Sequence, residues 1–275
     1  MKDFVHTIPL LGGKTTTSMV RNMRIPDGKA YIGIIAFSLM LNIKDTSVER
    51  ALIALTAGIF YVAYSFAINN CFDVDTDVQN PQKRRKNPIA SGELSFKAGV
   101  LSSLLIALTG SVFAYFTNPI MFAIYLTMLG LSTFYSIPPR LKSKPIVDIM
   151  SHGLFFGALP FLFGAYLDGM LSKPEITMSV ALALYSFAMG IRNQLEDYES
   201  DLKANLKTTS IVIGKTLAER IATLFSISSI TLMLYLISPL DAMGVLLLTS
   251  QKVYKVFDSF VVILLMIYLL KSLVS

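Results

Sequence analysis

A single cysteine, Cys71, excludes an intramolecular disulfide, and charge is scarce: Asp, Glu, Lys and Arg together supply 15% of the residues. No polar stretch is long enough to make a separate soluble domain, so the 275 residues read as one domain. With 53% hydrophobic residues and a mean hydropathy of +0.60, this is not the balance of a soluble protein. It fits a polytopic membrane protein built almost wholly of helices, because only helices or closed barrels satisfy their backbone groups in lipid. The formal charge of +6 does not imply nucleic acid, since the bases sit in short loops between apolar runs. The N-terminal stretch is polar, with Gly12-Gly13 and a Thr15-Thr16-Thr17 run, and does not have the pattern of a cleavable signal. The first apolar span is therefore expected to act as its own targeting signal.

Apolar runs place nine spans, at residues 30–43, 51–70, 100–116, 120–134, 146–167, 176–193, 221–237, 240–249 and 256–270. The eighth is short, about ten residues where a crossing needs roughly twenty. Gly153 and Gly157 in the fifth form a small-xxx-small pair suited to close helix packing. Asp148 at its start reads as an N-cap, and His152, a lone histidine beside Gly153, reads as structural. Three prolines, Pro138, Pro139 and Pro145, keep the loop before it from being helical throughout.

The chemistry concentrates at two places. Asn69, Asp73 and Asp77 lie four apart at the end of a run with no charged residue, and Asn193, Asp197 and Asp201 repeat that spacing after another apolar run. The spacing predicts one helical face for each trio. Carboxylates at the mouth of a hydrophobic helix are costly and point to function. Hard oxygen donors of this kind suit Mg²⁺, which shares its shell among carboxylates, water and substrate phosphate. Each trio is followed by lysines and then a glycine: Lys83 and Lys86 before Gly92, Lys203 and Lys207 before Gly214.

Four spans separate the trios, and an even number returns the chain to the same face. Of the 24 Lys and Arg residues, only Lys44, Arg50, Lys173 and Lys271 fall on the other side in a nine-span arrangement. The positive-inside rule then makes the shared face cytoplasmic. Two acidic rows and nearby bases in a lipid bilayer describe a diphosphate site. An apolar interior behind it suits an isoprenyl tail, and Phe66, Phe72, Tyr135, Phe155, Phe156 and Tyr198 could shelter an allylic cation.

The chain resembles the UbiA superfamily of intramembrane prenyltransferases. Asn69, Asp73 and Asp77 match its first signature, Asp197 and Asp201 its second. Tyr135-Ser-Ile-Pro-Pro-Arg140 with Lys142 looks like the loop after the family's fourth helix, and Pro88-Ile-Ala-Ser-Gly92 like the segment trailing the first signature. The resemblance implies an all-α bundle of nine transmembrane helices around a central cavity in the plasma membrane, its site facing the cytoplasm. It also implies two Mg²⁺ on the acidic motifs, with Asp73, Asp77, Asp197 and Asp201 central and Asn69 and Asn193 assisting. Tyr135, Arg140, Lys142, Lys86 and Arg24 are then expected to hold the diphosphate. The reaction implied is prenyl transfer from a prenyl diphosphate to a lipophilic acceptor, either an aromatic quinone precursor or the hydroxyl of a prenylated glycerol phosphate. A UbiA-type terpene cyclase and, more remotely, a cation-coupled transporter are the alternatives. Asn70 and Gln194 stand where many members carry Asp, and Asn87 where an Arg is common, which leaves the acceptor open.

Overall fold

The computed structural model describes residues 13–203, 206–239 and 253–274. A short helix, α1 (Gly13–Asn22), precedes α2 (Lys29–Leu41) and the long α3 (Val48–Phe72). Two brief helices, α4 (Val74–Asp77) and α5 (Pro81–Lys86), lead to the hairpin of α6 (Phe96–Tyr115) and α7 (Pro119–Ser136). Next come α8 (Val147–Gly153), a π-helical segment (Leu154–Ala158) and α9 (Leu159–Ala165). The remainder is α10 (Lys173–Glu196), α11 (Tyr198–Lys203), α12 (Thr209–Ile213), α13 (Lys215–Ile237) and α14 (Val253–Val274).

Local signals set the helix starts. The side chains of Ser47, Ser95 and Asn118 accept backbone N–H bonds from Arg50, Ala98 and Met121, capping α3, α6 and α7. Ser172 and Glu175 close a reciprocal capping box on α10. The break between α8 and α9 also has a sequence cause. Pro160 cannot donate a backbone hydrogen bond, and the wide π turn just before it absorbs the mismatch.

Seven helical segments are long and apolar enough to cross a membrane: α3, α6, α7, the α8–α9 unit, α10, α13 and the apolar part of α14. The predicted first span is α2, which at 13 residues is shorter than a full crossing. The predicted eighth span, residues 240–249, lies outside the described residues. Along α6, Leu101, Leu104, Leu105, Leu108 and Val112 form an exposed apolar stripe, the pattern of a lipid-facing helix. The chain is thus an integral, multi-pass, helical membrane protein.

Two apolar clusters are the largest of those among the described residues. One joins Phe37, Phe161, Leu182, Met233 and Phe257 from α2, α9, α10, α13 and α14; the other joins Ile35, Tyr61, Tyr125, Phe155 and Phe163. Helix α2 and the α8–α9 unit contribute to both and hold the halves together. The glycine pair works as the sequence predicts. A Cβ at Gly157 would lie 2.5 Å from the Leu182 carbonyl oxygen and 3.0 Å from Ala183 Cα, so only glycine lets this unit approach α10 so closely.

Candidate active site

Both acidic trios straddle a helix end. Helix α3 stops at Phe72, and Asp73 takes the capping position with φ −104° and ψ 7° before α4 resumes. Helix α10 stops at Glu196, and Asp197 does the same with φ −87° and ψ 0° before α11. The single helical face expected for each trio is therefore interrupted at its central aspartate. The two copies share this interruption, and in both the backbone bonds from the central aspartate N to the asparagine O and from the third residue's N to the central aspartate O still span it.

A cleft of about 290 Å³ lies between the trios. Asp73 lines it from one side and Asn193, Asp197 and Asp201 from the other. Lys83, Arg140, Lys142 and Lys207 supply positive charge to the same walls, and Tyr135 and His152 complete them. Asp73 Oδ1 accepts hydrogen bonds from Arg140 Nη2 at 2.9 Å and from Lys142 Nζ. Lys142 Nζ also donates to Asn69 Oδ1 at 2.9 Å, and Ser136 Oγ donates to that same oxygen at 3.2 Å. Across the cleft, Lys83 Nζ donates to Asp197 Oδ2 at 3.0 Å, tying α5 to the end of α10.

The remaining predicted residues stand apart. Asp77 is buried, and its Oδ2 accepts from Asn87 Nδ2 at 2.9 Å and does not line the cleft. Arg24 and Lys86 converge on Asp27, with Arg24 Nε donating at 2.8 Å and Lys86 Nζ at 3.1 Å. Asp27 and Lys83 carry no sequence signal for these partnerships, because nothing in the Lys83-Arg84-Arg85-Lys86 run says which base turns inward.

A buried polar network that sequence reasoning missed fixes the second trio. Asp148 does not cap its own helix. Its Oδ2 accepts from Thr209 N at 3.0 Å, at the start of α12, and from Gln194 Nε2 at 2.7 Å, while Gln194 Oε1 accepts from Ser210 N at 2.9 Å. A second hub, Asn87, donates to the Asn70 carbonyl oxygen and accepts from Ile89 N and Ala90 N. Asn70 in turn donates to Asn22 Oδ1 at 3.0 Å, so the departures from the usual acidic pattern at 70 and 194 serve as structural amides.

The electrostatics follow from partial burial and close charges. Desolvation raises the Asp201 carboxyl pKa and the neighbouring Asp197 adds to it; Asp77 is likewise raised by burial and then by Asp73. Burial works against the Lys142 ammonium and lowers its pKa despite the pull of Asp73. At Lys83 the balance reverses: burial opposes the charge, but the Asp197 bond and the fields of Asp77 and Asp201 outweigh it and raise the pKa.

The donor set fits Mg²⁺ in composition. Asp73, Asn193, Asp197 and Asp201 bring side-chain oxygens to the walls of one cleft, although among the described residues no three His, Cys, Asp or Glu side chains gather closely enough to hold a metal by themselves. Mg²⁺ is commonly held that way, through one or two carboxylates with water and phosphate completing the shell.

A sequence profile of the UbiA prenyltransferase family matches residues 31–274. The chain belongs to the UbiA prenyltransferase family. It is 31% identical over 195 residues to digeranylgeranylglyceryl phosphate synthase of Methanopyrus kandleri, covering 67% of this chain and 69% of that one. It is 27% identical over 198 residues to a lycopene elongase/hydratase of Corynebacterium glutamicum, covering 69% and 68%. The alignment spans 68% of the length of that relative and 51% of the length of a lycopene elongase/hydratase of Haloarcula japonica. The structure of a UbiA homolog from Archaeoglobus fulgidus bound to GPP and Mg²⁺ superposes with a TM-score of 0.70 at 23% identity, covering 92% of this chain and 86% of that one. That match establishes the UbiA fold, whose helical bundle agrees with the elements described above.

Proposed function

We propose that this UbiA-family protein transfers a prenyl group from an allylic prenyl diphosphate to a lipophilic acceptor, at a Mg²⁺-dependent site on the cytoplasmic edge of the plasma membrane. One observation carries the reading: a single cleft is lined by carboxylates from both acidic motifs and by four cationic side chains. Bound Mg²⁺ would neutralise charge growing on the diphosphate as it departs. Arg140 and Lys142 would hold diphosphate oxygens by charge-assisted hydrogen bonds. Arg140 Nε supports this role, because it is buried with no hydrogen-bond partner and so has a donor to spare.

Aromatic rings continue from the cleft toward the interior. Tyr135 packs on Phe155 with centroids 4.9 Å apart, Phe155 on Phe156 at 4.3 Å, and Phe156 stacks on Tyr31 at 4.0 Å. Their π faces would stabilise the allylic cation left when the C–O bond breaks and its electrons go with the diphosphate. The acceptor then supplies an electron pair to the allylic carbon and loses a proton. The relatives' names point to three acceptor classes: a prenylated glycerol phosphate, a polyene and an aromatic ring such as homogentisate.

Product analysis by mass spectrometry tests the reading. Wild-type protein offered prenyl diphosphates with each acceptor should form the prenylated product, and Asp73→Ala or Asp197→Ala should abolish it. Near-normal turnover by both variants would refute the assignment. A cyclic hydrocarbon formed without any acceptor would make the protein a cyclase, and substrate flux into proteoliposomes with no diphosphate release would make it a transporter.

A further inference from the structure

His152 is 7% exposed, yet it lines the cleft beside Tyr135. Its Nδ1 lies 2.9 Å from Ser186 Oγ and 3.2 Å from the Ser186 carbonyl oxygen. A carbonyl oxygen only accepts, and Ser186 Oγ spends its own hydrogen on the His152 carbonyl oxygen at 3.1 Å. Nδ1 must therefore carry the ring hydrogen of the neutral imidazole. The other nitrogen, Nε2, is left with a bare lone pair and makes no hydrogen bond to any described residue. The rings of Phe156, Phe155 and Tyr135 surround the imidazole at 5.0, 6.0 and 6.4 Å, so the protein offers that lone pair no polar partner of its own.

We propose that His152 Nε2 receives the proton of a hydroxyl-bearing acceptor during prenyl transfer. The inference rests on the prenyl-transfer reading and deepens it by naming the acceptor's chemistry. The allylic C–O bond breaks and its electron pair leaves on the diphosphate. An oxygen lone pair of the acceptor forms the new C–O bond, and the hydroxyl proton passes to His152 Nε2. The resulting imidazolium keeps its Nδ1–H on two oxygens of Ser186, which orient the ring. A purely hydrocarbon acceptor would leave Nε2 facing an apolar group with no bond to make, at a cost in binding. The cleft therefore selects an alcohol over a polyene.

The test uses the full-length protein in detergent, geranylgeranyl diphosphate, and two acceptors: a monoprenylated glycerol phosphate and an acyclic polyene. The His152→Asn variant keeps an amide N–H where Nδ1 donates to Ser186 and removes only the Nε2 lone pair. Transfer to the alcohol should fall by about 100-fold or more, the usual contribution of a general base. A non-ionisable prenyl diphosphate analogue should still bind close to the wild-type affinity, which reports an intact fold. In His152→Ala, free imidazole should restore part of the rate, an effect no packing role would produce. Transfer by His152→Asn near the wild-type rate, or His152→Ala that binds the analogue but ignores imidazole, overturns the inference. Wild-type protein that prenylates the polyene and leaves the alcohol untouched overturns it too, with prenyl transfer standing. Failure of the wild type to consume the diphosphate with any acceptor would instead overturn the transfer reading itself.

Discussion

Replacing Asp148 with Asn changes the shape hardly at all, so its effect isolates the charge and the hydrogen bonds that the carboxylate accepts. The side chain is 1% exposed. One carboxylate oxygen accepts from Gln194 Nε2 and Thr209 N, and the other accepts from Ile149 N and the Thr209 hydroxyl. Whichever oxygen becomes the amide NH₂, it meets two donors with a third, so two buried donors lose their acceptor. An unsatisfied buried donor costs about 1–3 kcal/mol, so the pair costs about 2–6 kcal/mol. In a protein of this size that lowers the thermal midpoint on the order of 10 °C. Transfer activity should fall with it, because Gln194 fixes the turn that presents Asp197 and Asp201. The assay is thermal unfolding in detergent beside prenyl transfer measured well below both midpoints. An Asp148→Asn protein that melts like the wild type would refute the reasoning. If it also lost transfer, the carboxylate would be acting on the substrate directly and not through its neighbours.

Two further predictions are independent of that network. Gly157→Ala places a methyl 2.5 Å from the Leu182 carbonyl oxygen and 2.9 Å from Ser186 Cβ, so the α8–α9 unit must move off α10. Overpacking of this kind costs about 1–3 kcal/mol, read as a lower melting midpoint, and an unchanged midpoint would show that the helices are not so close. At Asp201, burial and then Asp197 hold the folded pKa above the unfolded value, so the folded state favours the protonated form. The stability associated with this group is full below the ordinary Asp range and is lost as pH rises through the raised pKa. Asp201→Asn should therefore melt at or above the wild-type midpoint at pH 7, with the advantage narrowing on acidification, while prenyl transfer is lost. A variant less stable than the wild type at pH 7 would contradict the sign.

The fold was legible because membranes simplify the code. Apolar run lengths located the helices, whose starts the Ser47, Ser95, Asn118 and Ser172 caps fix in the structure, and the repeat of Asn-x3-Asp-x3-Asp located the cleft. Spacing alone could not show that each trio bends at its central aspartate, because the interruption comes from backbone angles at Asp73 and Asp197 and from what packs after them. The third residues of the two trios nevertheless differ: Asp77 turns to Asn87, and Asp201 stays in the cleft. The Asp148–Thr209 contact spans 61 residues and joins two helix starts through polar groups, so no local pattern announces it. Lys83 and Lys86 differ by less than one turn of helix, yet one reaches Asp197 and the other Asp27. Only tertiary geometry tells those two bases apart.

Lys142 gives the most discriminating view of how the cleft is prepared for its substrate. Its ammonium bridges Asn69 and Asp73 while its side chain is 15% exposed, so a charge is held in partial burial beside carboxylate oxygen that a divalent cation would also seek. The same ammonium is placed to reach a diphosphate, as is Arg140, 2.9 Å from Asp73. Lys142→Ala should therefore move two affinities in opposite directions. With its competitor for Asp73 gone, the protein without prenyl diphosphate should bind Mg²⁺ more tightly. With one charge-assisted donor lost, about 1.5–3 kcal/mol, the prenyl diphosphate should bind about 10- to 160-fold more weakly. Titration calorimetry with Mg²⁺ alone, then with a non-ionisable diphosphate analogue, separates the two effects. If both affinities fell together, Lys142 would be holding the loop in place and not exchanging partners, and the ion pair with Asp73 would be structural.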